Sequence, residues 1–169
     1  MNRVIVIGGN GSGKSTFSKK LAAIAHLPVV HLDKLRWYGN WQMREREEFD
    51  VLLQQELDKE AWIIDGNYNR TIPLRLSCCD TVFYFDFSTF CCLLGVTWRV
   101  LTNLGRVRDD MGGNCRERFS LSFYQSILGF NKTHRKCYYA LLNDAKKVGK
   151  TVVIFRNRRQ VKKYLNTLG

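Results

Sequence analysis

The segment from Gly8 to Thr16, which reads Gly-Gly-Asn-Gly-Ser-Gly-Lys-Ser-Thr, constrains the fold of this chain most strongly. It has the pattern G-x-x-x-x-G-K-[ST], in which a glycine-rich turn joins a buried strand to a helix. The apolar run from Arg3 to Ile7 predicts the strand, and the spacing from Lys14 to Ala25 predicts the helix. This context is typical of a phosphate-binding loop.

The chemistry of the loop favours a nucleotide phosphate as its ligand. Successive N–H groups point inward from a glycine-rich turn, and the following helix adds unpaired N–H groups and the positive end of its dipole. Lys14 is expected to reach the β- and γ-phosphates, and the Ser15 hydroxyl to bind Mg²⁺, so ATP and Mg²⁺ are the predicted cofactors. The alternative is a glycine turn with no ligand. The predicted nucleotide site comprises Gly8, Gly9, Asn10, Gly11, Ser12, Gly13, Lys14, Ser15 and Thr16.

Length and composition predict one domain spanning residues 1–169, since 45% of the residues are hydrophobic. The six cysteines form no C-x-x-C pair, and a strand pattern begins close to residue 1. We therefore expect a cytoplasmic protein with reduced thiols and no zinc site, and we interpret His31 as a hydrogen-bonding residue rather than a metal ligand. The apolar run from Thr81 to Trp98 contains Asp86 and Ser88, which favours a strand and a helix over a membrane span.

Five buried strands alternate with helices along the chain, which implies parallel pairing and right-handed crossovers. The predicted fold class is α/β: a P-loop NTPase domain with three layers, α/β/α, on a five-stranded parallel sheet in the order 2-3-1-4-5. This order would align Gly8, Asp33, Asp65, Asp86 and Arg156 along one rim. The predicted strands are 3–7, 29–32, 61–64, 81–85 and 151–155.

Hydrophobic periodicity predicts three further helices. One covers 44–59, and a long one covers 119–148, with a bend at Gly129 and an end at Gly149. In the helix after the fourth strand, one apolar face is formed by Phe90, Leu94, Thr97, Trp98 and Leu101.

The segment after the second strand is the predicted acceptor region, about 33–60. Asp33 is a candidate to orient an acceptor hydroxyl or accept its proton; the alternative is that it caps a helix. Residues 34–41 are predicted as a loop or short helix, in which Trp37 and Trp41 line an acceptor pocket or, equally, cover a small satellite core.

An arginine-rich, glycine-containing loop at about 105–118 is predicted to act as a mobile cover over the phosphates. Arg106 and Arg108 are its candidate catalytic residues, and Arg99, Arg116 and Arg118 are further candidates to neutralise charge on the transferring group. A solvated basic loop is the alternative. Arg156, at the end of the last strand, is predicted to contact the nucleotide.

Two stretches resemble adenylate kinases: Ile63 to Thr71, with its Asp-Gly and Arg-Thr pairs, and His31 to Arg36. The whole chain more closely resembles the DNA topology modulation proteins, which are P-loop proteins related to adenylate kinases. This resemblance is carried by 8–16, 31–41, 62–68 and 155–159. It implies an adenylate-kinase-like fold.

The resemblance also implies roles at matching positions. Asp65 would hold Mg²⁺ through water, and Arg36 and Arg70 would hold an acceptor anion. The segment Asn67-Tyr68-Asn69 stands where adenylate kinases have an aromatic-proline pair, and Asn67 and Tyr68 are also predicted to contact the acceptor. Trp37 and Trp41 have no counterpart there.

The net charge of +12 is concentrated near the end of the chain, because residues 132–169 contain seven Lys, four Arg and one Asp. A polyanion, a membrane surface or simple solvation are all compatible with this segment. The leading hypothesis is an ATP-dependent kinase acting on a small acceptor. The alternatives are a nucleotide-gated DNA-binding protein that uses the basic segment and modulates DNA topology or gene expression, and an ATPase that only changes conformation.

Overall fold

A computed structural model describes all residues, 1–169, as seven strands, seven α-helices and one short 3₁₀ turn at Asn69–Thr71. The strands are β1 Arg3–Gly8, β2 Val29–His31, β3 Trp37–Gly39, β4 Gln42–Met43, β5 Trp62–Asp65, β6 Thr81–Phe85 and β7 Thr151–Phe155. The helices are α1 Lys14–Ala25, α2 Leu32–Arg36, α3 Arg46–Leu57, α4 Ile72–Cys78, α5 Thr89–Asn103, α6 Leu121–Lys147 and α7 Arg158–Asn166.

The central sheet has five parallel strands in the order β2-β5-β1-β6-β7. This confirms the predicted order 2-3-1-4-5, counted without the small β3–β4 hairpin. Val4 of β1 pairs with Ile63 on one side and Thr81 on the other. Because all five strands run the same way, their carboxyl ends, including those of Gly8 and Asp65, lie at one edge of the sheet.

Alternate residues of β1 enter two different cores. Ile5 packs with Trp62 and Tyr138 on one face of the sheet, whereas Val4 packs with Phe17 on the other. These residues are buried completely or nearly so, and each such side chain contributes about 1.5–3 kcal/mol relative to exposure. Both faces are therefore covered, which confirms the three-layer α/β/α prediction.

Residues 37–43 form a hairpin that was not predicted, whereas residues 34–36 belong to a short helix, α2, as one of the two predictions for 34–41 had it. Strand β3 pairs antiparallel with β4, with Trp37 opposite Met43. The turn has two consecutive left-handed residues, Asn40 at φ 49° and Trp41 at φ 62°. Left-handed backbone at both central positions is the geometry of a type I′ hairpin turn, which asparagine favours but tryptophan does not. The turn was not predicted because tryptophan is uncommon at this position of such a turn.

The apolar face predicted for α5 is the exposed one, not the core-facing one. Phe90 and Trp98 retain 68% and 69% exposure, whereas Cys92, Val96 and Val100 are buried. Helix α5 contains one charged residue, so the charge pattern could not indicate which side faces the core.

The remaining helices agree with the predicted positions and differ mainly at their ends. Helix α6 is continuous, and Gly129 does not interrupt it. It ends before Gly149, which adopts φ 81° and donates its N–H to the Lys146 carbonyl. The predicted helix over 44–59 is shorter at both ends, as α3. None of the helices combines the length and apolar character needed to cross a bilayer.

Candidate active site

A cavity of about 1880 Å³ lies over the carboxyl edge of the sheet. Its walls come from the phosphate loop, the ends of β2 and β5, the β3–β4 hairpin and the loop between α5 and α6. Loop residues 10–16 line it, whereas Gly8 and Gly9 do not. The predicted nucleotide and acceptor regions therefore share one space.

Glycine is required at several points of the phosphate loop. Gly8, Gly11 and Gly13 adopt φ values of 138°, 82° and 94°, which other residues adopt rarely. At Gly11 a Cβ atom would lie 2.2 Å from the carbonyl oxygen of Cys92 in α5. The glycines thus allow the loop to turn tightly beneath α5.

Lys14 is buried, and its Nζ donates to the Gly9 carbonyl at 2.9 Å. Burial lowers the pKa of the Lys14 ammonium, and the charges of Asp65 and Asp33 oppose this shift. Ser15 follows in the first turn of α1 and lines the same cavity. The cavity therefore has a cation and a hydroxyl at the positive end of a helix, as phosphate binding requires.

Asp65 and His31 form a buried pair at the ends of neighbouring strands. The register of β2 and β5 pairs these two residues, and His31 Nδ1 lies 3.0 Å from Asp65 Oδ2. Asp65 Oδ1 is buried and has no hydrogen-bond partner within the protein. A buried carboxylate oxygen without a partner is costly, so this atom fits a hydrated cation supplied with the nucleotide.

Asp33 lies in the first turn of α2 and does not cap it, because the cap position belongs to His31. Its Oδ1 accepts a hydrogen bond from the Tyr68 hydroxyl at 2.8 Å. Burial raises the pKa of the Asp33 carboxyl, and the hydrogen bond from Tyr68 opposes this shift. Burial also raises the pKa of Tyr68, which keeps it a donor.

Arg75 holds the turn after β5 and was missed in the sequence. It is completely buried, and its guanidinium donates to the carbonyls of Gly66, at 2.8 Å, and of Asn67. Burial lowers its pKa to about 10. This turn also contacts the phosphate loop, because Asn67 Oδ1 accepts a hydrogen bond from the Gly8 N–H at 2.9 Å. Asn67 and Tyr68 both line the cavity, as predicted.

The two tryptophans of the hairpin line the cavity rather than a separate core. Trp37 and Trp41 meet edge to face, with ring centroids 5.4 Å apart. The Arg118 guanidinium lies 4.9 Å from the Trp41 ring centroid, and Trp41 Nε1 donates to the Arg116 carbonyl at 3.1 Å. The hairpin and the arginine-rich loop are therefore in direct contact.

Glu117 organises the arginine-rich loop from within. It is buried, with Oε1 3.0 Å from Arg99 Nη2 and Oε2 3.0 Å from Arg108 Nε. Arg108 also lies 3.5 Å from Asp110. Burial lowers the pKa of Arg99. Arg99, Arg108 and Arg118 all line the cavity, so the loop contributes two of the predicted arginines to it and α5 contributes the third.

Arg36 and Arg70 are not among the residues that line the cavity, contrary to prediction. Arg36 donates to the Arg44 carbonyl, and Arg70 donates to Asp50 at 2.9 Å. Both guanidinium groups are thus held by neighbours from 44–50, which lie outside the cavity wall.

Arg106 and Arg156 do not line the large cavity either. Arg106 is exposed, and its backbone pairs with Asn103 and Glu117 while its side chain does not line the cavity. Arg156 borders a separate cavity of about 250 Å³ beside Asp86, whose carboxylate accepts from Arg135 at 2.7 Å. Arg116 contributes only its carbonyl group, which accepts the hydrogen bond from Trp41 Nε1 described above.

Arg158 takes the position at the large cavity that was predicted for Arg156. It begins α7, and a Cβ atom on Gly95 would lie 3.1 Å from its guanidinium. The sequence contains Arg156, Arg158 and Arg159 within four residues, so it could not indicate which of them faces the nucleotide side.

No protein-family model matches the chain, and no curated protein sequence matches it. Solved structures match over almost its full length. A shikimate kinase from Acinetobacter baumannii in complex with shikimate has a TM-score of 0.62 at 14% identity, covering 99% of this chain and 93% of its own. A gluconokinase from Sinorhizobium meliloti 1021 has a TM-score of 0.58 at 11% identity, covering 99% and 89%.

A shikimate kinase from Bacteroides thetaiotaomicron has a TM-score of 0.57 at 15% identity, covering 99% of this chain and 95% of its own. At these identities the likeness establishes the fold. The chain has the adenylate-kinase-like P-loop α/β fold, as the resemblance to adenylate kinases implied. Membership of the DNA topology modulation proteins stays a prediction.

Proposed function

We propose that this protein is an Mg²⁺-dependent kinase that transfers the γ-phosphoryl group of ATP to a hydroxyl of a small metabolite. The observation that carries the proposal is the single cavity in which Lys14 and Ser15 face the same space as Asp33 and Asp65. Phosphoryl transfer requires little more than in-line positioning and neutralisation of charge. The likeness to three metabolite kinases supports the same reaction class.

The phosphate loop and β5 would hold the nucleotide and its metal. Lys14, buried next to Gly9, would exchange its carbonyl partner for phosphate oxygens. Ser15 and Asp65 would hold Mg²⁺, Asp65 partly through water, because its Oδ1 is buried without a partner. Bound Mg-ATP supplies the phosphoryl group and neutralises part of its charge.

Asp33 would orient the acceptor hydroxyl and accept its proton. Its pKa is raised by burial, which makes the carboxylate a stronger base, and the Tyr68 hydroxyl at 2.8 Å fixes its position. Trp37, Trp41, Asn67 and Tyr68 would form the acceptor wall. Arg36 and Arg70 have no part in this proposal, because they bond outside the cavity.

The loop at 105–118 would act as the lid, and residues 33–60 as the acceptor-binding insert of a single domain. Arg99 and Arg108, held by Glu117, would present positive charge to the transferring group. Arg118 would close over the hairpin through Trp41. A closed lid also excludes water, which limits hydrolysis of ATP.

The proposal is tested by measuring ADP release with Mg-ATP across nucleosides, nucleoside monophosphates, sugars, hydroxy acids and other hydroxyl metabolites. We expect one acceptor class to stimulate release, and Lys14→Ala to abolish the stimulation. Phosphorylated product identified by mass spectrometry would name the acceptor. ADP release that no acceptor stimulates would contradict the kinase proposal. It would favour the alternative of an ATPase that only changes conformation.

DNA binding remains a separate prediction for the basic segment at 132–169. No contact in this segment favours it over solvation, and two of its basic residues, Arg158 and Lys162, line the large cavity instead. Double-stranded DNA belongs in the same panel as one further addition. Direct binding would be recognised by a steep loss of affinity with salt.

A further inference from the structure

The loop at 105–118 and the β3–β4 hairpin touch each other through their backbones. A Cβ atom on Gly112 would lie 2.0 Å from the Trp37 carbonyl oxygen, and one on Gly113 would lie 1.9 Å from the Tyr38 carbonyl oxygen. A backbone carbonyl cannot swing aside as a long side chain can, so only glycine allows the two segments to approach this closely. We call this contact the junction.

Trp41 reinforces the junction from the turn of the hairpin. Its backbone N–H donates to Cys115 Sγ at 3.4 Å, and its Nε1 donates to the Arg116 carbonyl at 3.1 Å. The Arg118 guanidinium lies over its ring. Cys115 itself is buried, with 1% exposure. The hairpin is therefore fastened to the loop both at its first strand and at its turn.

The hairpin depends on such support, because it is a separate two-stranded sheet and takes no part in the central one. A two-stranded hairpin by itself is at best marginally stable in water. It also contacts α3, where the Tyr38 hydroxyl and Arg44 both bond to Glu48, but these groups are partly exposed. Gly112, by contrast, is buried against the Trp37 carbonyl. The junction is therefore the more tightly packed of the two supports.

The same loop brings positive charge to the phosphate side of the cavity. Arg108 lines the cavity and shares the Glu117 carboxylate with Arg99 of α5. Asp109 pairs with Lys19 of α1, and both side chains are more than one-third exposed, so this tie contributes little to stability. Phosphate oxygens at the phosphate loop would attract the arginine. A bound nucleotide therefore pulls on a loop whose tie to α1 yields easily.

We propose that the loop at 105–118 and the hairpin move as one body that covers both ligands, and that Gly112 and Gly113 are the positioning residues that join them. Nucleotide phosphates that attract Arg108 then also bring the two tryptophans of the hairpin over the acceptor. By thermodynamic linkage, an acceptor bound to the hairpin raises the affinity for the nucleotide by the same factor. The inference rests on the proposed function, because it takes the phosphate loop to be a nucleotide site.

Two covers that move separately are the alternative arrangement. Their movement would part the junction, which would expose Cys115 and remove the acceptors from both N–H groups of Trp41. Buried donors that lose their partners are costly. Movement as one body keeps these contacts and breaks the exposed pair between Asp109 and Lys19. The balance of these contacts favours one body.

Hydrogen exchange read by peptide mass spectrometry tests the proposal, with and without Mg²⁺ and AMP-PNP, an ATP analogue whose terminal group is not transferred. The variants are Gly112→Ala and Gly113→Ala, whose methyl groups would meet the hairpin carbonyls. The control is Gly105→Ala in the same loop. Gly105 has φ 72° and Gly113 has φ 53°, so alanine is strained at both, but no atom lies within 4 Å of a Cβ at Gly105. The control therefore separates backbone strain from contact with the hairpin.

We expect AMP-PNP to slow exchange several-fold at both 37–43 and 105–118 in the unchanged chain and in Gly105→Ala. In Gly112→Ala and Gly113→Ala it should no longer slow exchange at 37–43. A merely structural role would change exchange equally with and without the nucleotide. Slowing at 105–118 alone in the unchanged chain would overturn the proposal, and so would loss of the hairpin response in Gly105→Ala.

Residues 8–16 report separately on the proposed function. Slower exchange there with AMP-PNP, abolished by Lys14→Ala, would show that the phosphate loop binds nucleotide, whatever the hairpin does. An absence of slowing at 8–16 would contradict the proposed function and the coupling that rests on it. Slowing at 8–16 and 105–118 without slowing at 37–43 would contradict the single cover alone.

Alkylation of Cys115 tests the junction without any nucleotide, with the exposed free thiol of Cys137 on α6 as the internal reference. We expect Cys115 to react slowly in the unchanged chain and in Gly105→Ala. In Gly112→Ala and Gly113→Ala it should react several-fold faster, while Cys137 keeps its rate and circular dichroism shows an intact fold. Reaction of Cys115 as fast as Cys137 in the unchanged chain would mean that the hairpin and the loop separate freely, and would overturn the proposal.

Discussion

The two sides of the cavity are built in different ways. The phosphate side comes from one contiguous segment, whose backbone shape is fixed by glycines with left-handed or otherwise unusual φ values. The acceptor side is assembled from the ends of β2 and β5, the hairpin and the loop at 105–118, joined by side-chain contacts such as those of Glu117. The backbone shape of the phosphate side is therefore set mainly within one segment, whereas the acceptor side depends on a few long-range pairs.

The largest effect is expected on the phosphate side, from Lys14→Ala. Removing a charge that stabilises the transferring group costs about 10²–10³-fold in turnover. The fold should persist, because burial lowers the pKa of Lys14, which means that the folded protein holds this charge at a cost. Acceptor-stimulated ADP release measures the first effect and thermal unfolding measures the second.

Lys163→Ala is the matched control, because Lys163 is an exposed lysine of α7 that does not line the cavity. It should leave both measurements unchanged. If Lys14→Ala lowered the melting temperature to near the assay temperature, its loss of activity would reflect unfolding. The result would then say nothing about the difference between the two sides.

Glu117→Gln is expected to have the next largest effect, on the acceptor side. Breaking a buried ion pair by removing one partner costs about 3–5 kcal/mol where the remaining charge stays buried, and here Arg99 loses its carboxylate partner while Arg108 keeps only Asp110 at 3.5 Å. We expect faster amide hydrogen exchange over 105–118, unchanged exchange in β1, and turnover reduced roughly 10–100-fold because the lid closes poorly.

Asp144→Asn is the control for this variant, because it removes a carboxylate from an exposed pair with Lys147, which contributes about 0–1 kcal/mol. Exchange that accelerates equally in β1 and the lid after Glu117→Gln would mean that Glu117 stabilises the whole fold. The acceptor side would then not be separable from the sheet.

The difference between the phosphate side and the acceptor side also explains how much of the site could be predicted from the sequence. The phosphate loop was predictable because its motif is contiguous and each glycine has a geometric reason. Asp33 and Asp65 were predictable as rim residues because the carboxyl ends of parallel strands meet at one edge. Both kinds of inference use local pattern and sheet topology alone.

The remaining site residues depend on contacts that the sequence does not encode locally. Whether Arg70 faces the cavity or Asp50 is decided by how α3 packs, not by its neighbours in the chain. The role of Arg75 depends on three carbonyls of a turn that forms only when β5 is in place. The hairpin escaped prediction because its turn places Trp41 at positive φ.

Tyr68→Phe tests the acceptor side at one hydrogen bond. The Tyr68 hydroxyl lowers the pKa of Asp33, whereas burial raises it, so removing the hydroxyl lets that pKa rise further. A base must be ionised to act, and the acid limb of the kcat/KM profile should therefore move to higher pH. At acidic pH the rate should fall several-fold, with a smaller change on the alkaline side. An acid limb that does not move would contradict the assignment of Asp33 as the base.

The smallest effect is expected from Arg70→Gln, and it is the sharpest test of where the acceptor side ends. The resemblance to adenylate kinases implies that Arg70 holds an acceptor anion, whereas its guanidinium bonds to Asp50 outside the cavity. Because Arg70 does not line the cavity, the acceptor KM should change less than about two-fold, and the lost exposed pair should lower the stability by only about 0–1 kcal/mol.

Arg118→Gln is the comparison for this variant, because Arg118 lies against Trp41 inside the cavity and carries the same charge. Loss of a cation from the face of a tryptophan costs about 0.5–1 kcal/mol at an exposed site, so the acceptor KM should rise a few-fold. If Arg70→Gln instead raised the KM more than Arg118→Gln, Arg70 would have to leave Asp50 when the acceptor binds. The acceptor side would then extend to α3, and its boundary would be set by the ligand rather than by the ion pairs of the free protein.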